Sequence, residues 1–415
     1  MKAKSPPSVR DRLLASARTL ISRCGLRQAT TRRTAVDADV SVSLVNYHFG
    51  DRNGLIRAVY EQALAEHRAW LGAAVADPAD VRPGPEHLSG WLIALLVRRA
   101  MHTDLIGLER TLWINAARVP GLEPVAQAWM ATVLDFAART EALFRLPPGS
   151  RDHIAEFHLS TDLLVSPSML DQTGLTLACL TAARFADKLT GAAASGDTAD
   201  RVFEVWRAAL MNGDRTRGPA STTWAEPGGV PERILQAALR VVAHDGADAL
   251  THRSVAKQAG VPLSATTRHF ASRADIVHGA FERAYAALVG NRDQILSPPQ
   301  GLEPDSLAEL IAENLLGPGD EIGETFAIID ELFILAMNDP ALAQLSRSLI
   351  ASRGETSLAV LRAALPEPAL IARCDGFLWS LCTFGMIAHA RLLPADMRRE
   401  HLARRTRARL SLFSQ

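Results

Sequence analysis

Two stretches decide the fold: Leu250–Val277, LTHRSVAKQAGVPLSATTRHFASRADIV, and Ala29–Ile56, ATTRRTAVDADVSVSLVNYHFGDRNGLI. Slid by 221 residues, one falls on the other without a gap, and the register holds outward on both sides. Arg12, Leu14, Ala17, Gly25, Thr30, Arg32, Ala35, Ala38, Val40, Ser43, His48, Phe49, Arg52 and Glu61 pair with identical residues at Arg233, Leu235, Ala238, Gly246, Thr251, Arg253, Ala256, Ala259, Val261, Ser264, His269, Phe270, Arg273 and Glu282. Identities in one long register mark a repeated domain, as opposed to the short period of a solenoid.

Each copy has the same grammar. Leu13, Leu14, Ala17, Leu20 and Ile21, like Ile234, Leu235, Ala238, Val241 and Val242, lie on one face of a first helix. Gly25 and Gly246 follow, where a left-handed cap is cheapest for glycine. Thr30 and Thr251 suit the N-cap of a short second helix. A tight turn, ADVS or AGVP, then leads to another short helix ending in NYHF or TRHF. Gly260 supplies that turn, and Asp39 replaces it in the first copy, aspartate tolerating left-handed backbone better than most residues. This is helix-turn-helix grammar, in which the second short helix enters the major groove and flanking residues grip phosphates.

On these residues Leu250–Val277 resembles the DNA-binding domain of the TetR (tetracycline-repressor-like) family. Ala29–Ile56 resembles it less cleanly, and the His-Phe pair with a basic residue four after the histidine carries much of the likeness. The resemblance implies an all-α chain of two TetR-like units fused in tandem, each a three-helix DNA-binding head followed by a helical ligand-binding and dimerisation body. It implies reading helices at Ser41–Tyr47 and Pro262–Arg268, with Ser41, Ser43, Leu44, Asn46, Tyr47, Ser264, Thr266, Thr267 and Arg268 facing base edges or adjacent backbone. Asn46 suits adenine, Arg268 guanine or phosphate, and Leu44 a thymine methyl. His48, His269, Arg52 and Arg273 match the family's phosphate contacts, as do Thr31, Arg32, His252 and Arg253; such contacts position a head without specifying sequence. Phe49 and Phe270 belong to the core. Arg268 departs from the family pattern, which has an aromatic there, and Asn46 and Thr267 occupy another commonly aromatic position.

The 415 residues exceed what one core usually supports. GDRTRGPASTTWAEPGG, Gly213–Gly229, breaks helical periodicity and reads as the linker. The expected domains are therefore a head at 1–60, a body at 61–212, the linker at 213–229, a second head at 230–288 and a second body at 289–415. Asp152–Asp187 with Arg201–Leu210 is expected to pack on Pro368–Leu393 with Arg399–Phe413, making an intramolecular pseudo-dimer. The particle would be a monomer, with a dimer of pseudo-dimers as the variant. Formal net charge is zero, yet residues 1–60 carry +7 and residues 229–288 carry +2, so basic heads sit on a mildly acidic remainder.

With 48% apolar and 22% charged residues, disorder and a membrane bundle are both excluded. MKAKSPPS opens on no apolar run, so no secretory signal is expected, and Phe377–Ala388 is too short to span a bilayer. The four cysteines form no CxxC pair, which fits a reducing cytoplasm and no structural zinc. His153 and His158 are at the wrong interval for a metal on one helix face. No GxSxG, Walker A, GxGxxG or HExxH motif occurs, so no catalytic residue, metal or cofactor is assigned and the chain is not expected to be an enzyme. His102, Trp113, Asn115, His158 and Asp162 are polar or amphipathic groups in otherwise apolar stretches of the first body and are the candidates for orienting a small-molecule effector. The expected partner is a double-stranded operator with unlike half-sites, bound by a ligand-responsive repressor. The alternative is a helical ligand- or partner-binding protein with one degenerate head.

Overall fold

The computed structural model describes residues 7–76, 83–192, 196–212, 228–290, 303–317, 324–339, 342–367 and 371–414. Its elements are helical, and no β-strand element occurs among the described residues. The first part comprises α1 (Val9–Cys24), α2 (Thr31–Asp37), α3 (Val42–Phe49), α4 (Arg52–Ala74), α5 (Leu88–Ala100), α6 (Thr103–Asn115), α7 (Glu123–Phe144), α8 (Ser150–Leu164), α9 (Gln172–Thr190) and α10 (Gly196–Asn212). The second comprises α11 (Val230–Asp245), α12 (His252–Ala259), α13 (Leu263–His269), α14 (Arg273–Gly290), α15 (Pro304–Leu315), α16 (Glu324–Asn338), α17 (Ala343–Ala351), α18 (Glu355–Ala364), α19 (Arg373–Ala390) and α20 (Ala395–Phe413).

Local chemistry explains the boundaries. Ser8 and Asp11 form a capping box at the start of α1, and Thr30 and Thr251 accept from the backbone N–H of Arg33 and Ser254. Gly25 and Gly246 do end α1 and α11 with positive φ, but at ψ near 160°. That is the mirror-extended region, essentially reserved for glycine, and not the left-handed helical cap the sequence predicts. Asp39 (φ 53°) and Gly260 (φ 64°) occupy the left-handed region at the two turns. α4 runs unbroken across the expected boundary at 60/61, so head and body share one helix. Most of the expected linker, 213–227, lies outside the described residues, as do 368–370 at the start of one expected packing segment.

One apolar core runs from Leu13 to Phe413 and draws on helices of both parts. α6 packs on α1, where Gly107 lets the two backbones approach: an added Cβ would meet Ser22 O at 2.7 Å. α8 packs on α19 still more closely, through Gly385, whose N–H donates to Ser160 Oγ at 3.0 Å. Around that contact Glu156 accepts from Arg405 (2.6 Å) and Arg409 (2.7 Å), and Arg184 makes a two-pronged bond to Asp375 (2.8 Å each). These four-way charge contacts are buried, where removing one partner costs far more than the pair itself contributes. The expected segment Asp152–Asp187 is two helices, α8 and α9, separated at Ser166–Asp171 by a short 3-10 turn.

Candidate nucleic-acid interface

α1, α2 and α3 pack together as one three-helix unit, and α11, α12 and α13 as another. The same bonds hold both at the 221-residue offset. Arg12 donates to Ala38 O (3.1 Å), and Arg233 to Ala259 O (3.2 Å). Arg52 donates to Ala29 O (3.0 Å) and Leu26 O (2.7 Å), and Arg273 to Leu250 O (2.8 Å) and Ala247 O (3.4 Å). Each pair of arginines ties its unit together by donating to turn carbonyls, of which Leu26 O and Ala247 O also accept from the N–H of Ala29 and Leu250. The role of Arg12 and Arg233 was not visible in the pattern of charges. Its only signal was their identity at the common offset.

Arg52 and Arg273, expected at phosphates, thus each donate Nε and Nη2 to the main chain, and Arg273 Nη1 also approaches Asp339 at 3.6 Å. Burial pushes the Arg52 pKa down, with Arg27 adding to it. Thr266, expected to face a base edge or adjacent backbone, is instead fully buried and donates to Leu263 O at 2.7 Å. His252 bonds through Nε2 to Phe270 O at 2.9 Å, tying the end of α13 to α12. Of the other predicted contacts, Arg32, Ser41, Ser43, Asn46, Tyr47, Arg253, Ser264, Thr267 and Arg268 are exposed, while Thr31, Leu44, His48 and His269 are half-buried. Tyr47 stands out at 81% exposure, a large ring left mostly in water with only an edge-on contact to His48 at 5.0 Å described. Phe270 is buried in the core and Phe49 half-buried, with Arg10 over its ring. At the predicted ends of the reading helices, the observed α3 and α13 begin one residue later and run to Phe49 and His269.

The five effector candidates separate. His158 is buried with Nε2 2.9 Å from Arg99 Nη1, and Asp162 pairs with Arg110 (2.9 Å). Burial raises the Asp162 carboxyl despite Arg110 beside it. Asn115 donates to Thr111 O at 2.8 Å, and Trp113 is buried with no partner for its indole N–H among the described residues. His102 is exposed at the N-terminus of α6, edge-on to Trp70. The structure adds His67, Trp70, Arg99 and Glu109, which with His102, Leu105 and Ile106 line a chamber between α4, α5 and α6. Of these four, only Trp70 is suggested by the sequence, as one of several tryptophans able to line a cavity; His67, Arg99 and Glu109 carry no local signal.

Nitrogen and oxygen atoms of His67, Glu109 and His158 lie within 4.8 Å of one another, a spacing at which a metal is conceivable. Arg99 already occupies two of the three: its Nη2 donates to Glu109 Oε2 at 2.6 Å and its Nη1 meets His158. A divalent ion there would face a buried guanidinium, so the donor set does not fit one. Burial, with Arg99 adding, holds both His67 and His158 well below the usual histidine pKa, and both are neutral rings.

No described helix is long and apolar enough to cross a membrane. Compared with curated proteins, the chain has no match. Residues 234–280 match the family model described as TetR_N, bacterial regulatory proteins, tetR family. That stretch spans most of α11, all of α12 and α13 and the start of α14, and it is this segment of an otherwise helical chain that is similar to bacterial tetR-family regulators.

Proposed function

We propose that the chain is a ligand-responsive transcriptional repressor that carries two DNA-binding heads, 1–60 and 230–288, and two helical bodies, 61–212 and 289–415, in one polypeptide. The observation that carries this reading is the arginine clasp repeated at one offset, Arg12 and Arg52 in the first head, Arg233 and Arg273 in the second. It supports two heads of one design, and only the second of them is covered by the family match. The bodies pack through α8 and α19, which supports an intramolecular pseudo-dimer in place of two identical chains. Arg27 of the first head also approaches Asp245 of the second at 3.6 Å.

The exposed reading faces differ: Ser43, Asn46 and Tyr47 against Ser264, Thr267 and Arg268. Asn46 favours adenine and Arg268 guanine, so the operator has unlike half-sites, a distinction no homodimer can make. Binding of an effector in a body changes the spacing of the heads and releases DNA.

Selection of bound sequences from a random library tests this. The expected product is a two-part site whose halves are related but not identical. Replacing Arg32 and His48 by Ala, or Arg253 and His269 by Ala, should each weaken binding about tenfold or more. A silent first pair would leave a one-headed protein, and an enriched perfect palindrome would overturn the reading. A particle mass of 44.8 kDa is expected for the free protein.

A further inference from the structure

Glu331, on α16 of the second body, stands where three parts of the chain meet. Its Oε2 accepts from the backbone N–H of Ala247 at 2.8 Å, at the corner that follows α11 in the second head. Its Oε1 accepts from Arg118, which lies on the turn after α6 of the first body. The Glu331 side chain is 11% exposed, so its charge is largely withdrawn from water and depends on these two donors. The fit at the corner is close: Gly246 has φ 82°, and a Cβ added there would lie 3.1 Å from Glu331 Oε2. The turn that carries Arg118 also abuts the helix leading out of the first head, since a Cβ at Gly121 would lie 3.3 Å from Arg57 Nη1 on α4.

The two heads are carried in different ways. The first rests directly on α6: Gly107 brings that helix against Ser22 O, and Arg18 of α1 pairs with Asp104 of α6 (2.8 Å) and Glu66 of α4 (2.7 Å). The second packs through α11 on α16, and α16 in turn packs on α6. Apolar packing between helices is non-directional, whereas a carboxylate bonded to one backbone N–H fixes where the corner sits. Arg27 and Asp245 join the heads directly at 3.6 Å, but these side chains are 51% and 56% exposed, and an exposed pair contributes little. Two heads on one face of a duplex need half-sites about 34–36 Å apart, and moving one half-site by a single base pair shifts it about 3.4 Å along the axis and about 35° around it. A head whose corner is fixed cannot follow that displacement.

We propose that Glu331 and Arg118 are positioning residues that hold the second head from the first body, and so set the spacing between half-sites from outside both DNA-binding heads. They act through Ala247 on the end of α11 and touch neither base nor phosphate. The tie runs in one direction, because the first head has its own seat on α6. The inference rests on the two-headed reading for its operator and adds to it the residues that select the distance between the operator's halves.

Full-length variants test it. Glu331→Gln keeps an acceptor for Ala247 and loses the charge that holds Arg118, Arg118→Met removes the cation, and Arg118→Lys keeps it. Operators are built from the two-part site enriched by selection, with one or two base pairs inserted or removed between its halves. The unchanged chain and Arg118→Lys should prefer one spacing by about tenfold or more, since joint engagement is lost where geometry forbids it. Glu331→Gln and Arg118→Met should bind all spacings within about threefold of one another, with affinity for a duplex carrying a single half-site unaltered. A uniform loss at every spacing, as general destabilisation would give, overturns the proposal. A second measurement needs no DNA. Nitroxides at Thr19→Cys and Arg240→Cys, exposed positions 221 residues apart on α1 and α11, report the distance between heads by pulsed electron paramagnetic resonance, with the accessible Cys24 and Cys179 replaced by Ser. The distribution should be narrow for the unchanged chain and broad for Glu331→Gln and Arg118→Met. Broadening in a protein that selects no DNA sequence keeps the positioning role and removes the operator; an unaltered distribution beside a selected two-part site keeps the operator and removes the positioning role.

Discussion

Replacing Gly385 by alanine is the sharpest probe of the contact between α8 and α19. An ideal Cβ at Gly385 falls 2.7 Å from both the carbonyl carbon and Cα of Glu156, and nearer still to its oxygen. Ordinary carbon contacts need about 3.5–4.0 Å, so the helices must part by roughly 1 Å. The obstacle is backbone and cannot swing aside. Overpacking of this kind costs about 1–3 kcal/mol, and stretching the Gly385 N–H bond to Ser160 Oγ adds about 1 kcal/mol. Alanine's better helix propensity returns about 1 kcal/mol, leaving a net loss of about 1–3 kcal/mol. Thermal unfolding should therefore begin roughly 1–4 °C lower. The matched control is Gly90→Ala in α5, where an added Cβ meets nothing within 4 Å, and there the same chemical change should raise stability by about 0.5 kcal/mol. If Gly385→Ala melts at or above Gly90→Ala, the close approach is not a feature of the folded protein and the reasoning is refuted.

Three further outcomes follow from named contacts. Asp375→Ala strands the buried Arg184 and should cost about 3–5 kcal/mol in urea unfolding, whereas the double change Arg184→Leu with Asp375→Leu should recover most of that loss; equal costs would deny the pair its coupling. Gly260→Ala forces a side chain into φ 64° and should destabilise by about 1–2 kcal/mol, measured by the midpoint shift of the second head, while Asp39→Gly should be neutral or stabilising. Acid should weaken the fold in two steps. Burial brings His153 and His401 to about 4, below the unfolded value, so the stability they contribute is complete above about pH 6.5 and falls as the unfolded chain takes up protons, by about 2 kcal/mol each at pH 5. Burial pushes Glu156 up, but Arg409 and Arg405 outweigh it and hold the carboxyl at about 2, so its contribution is complete above about pH 4.5 and lost as pH falls toward 2. His153→Gln should flatten part of the upper step, and an unchanged profile between pH 6.5 and 4 would contradict the assignment.

The heads were legible because a helix-turn-helix is a local object. Capping threonines, turn residues and one apolar stripe lie within fifty residues of one another, and repetition at a fixed offset multiplied the signal. The carbonyl bonds of Arg52 and Arg273 were not legible, because the same charge that grips a phosphate also satisfies a carbonyl, and only the path of Leu26–Ala29 and Ala247–Leu250 brings those oxygens within reach. The chamber was least visible. His67 and Trp70 come from α4, Arg99 from α5 and Glu109 from α6, and nothing in their spacing distinguishes a lining residue from a core residue until the helices are packed. His158 and Asp162 were noticed for their polarity, and both turned out to be partners in buried pairs.

The arginine clasps also set how the protein's grip on DNA responds to ionic strength. Each phosphate neutralised releases condensed counterions and contributes about −0.9 to the slope of log affinity against log salt. A formal charge of +7 on residues 1–60 invites a steep slope. Yet Arg12 and Arg52 turn inward to carbonyls, and Arg18 is held by Glu66 and Asp104. Those guanidinium groups displace few counterions of their own, so the salt dependence should be shallower than the charge count implies. On the proposed reading, more of the binding free energy would then come from base edges and from fit, and a shallow slope of log affinity against log salt is the measurement that checks it.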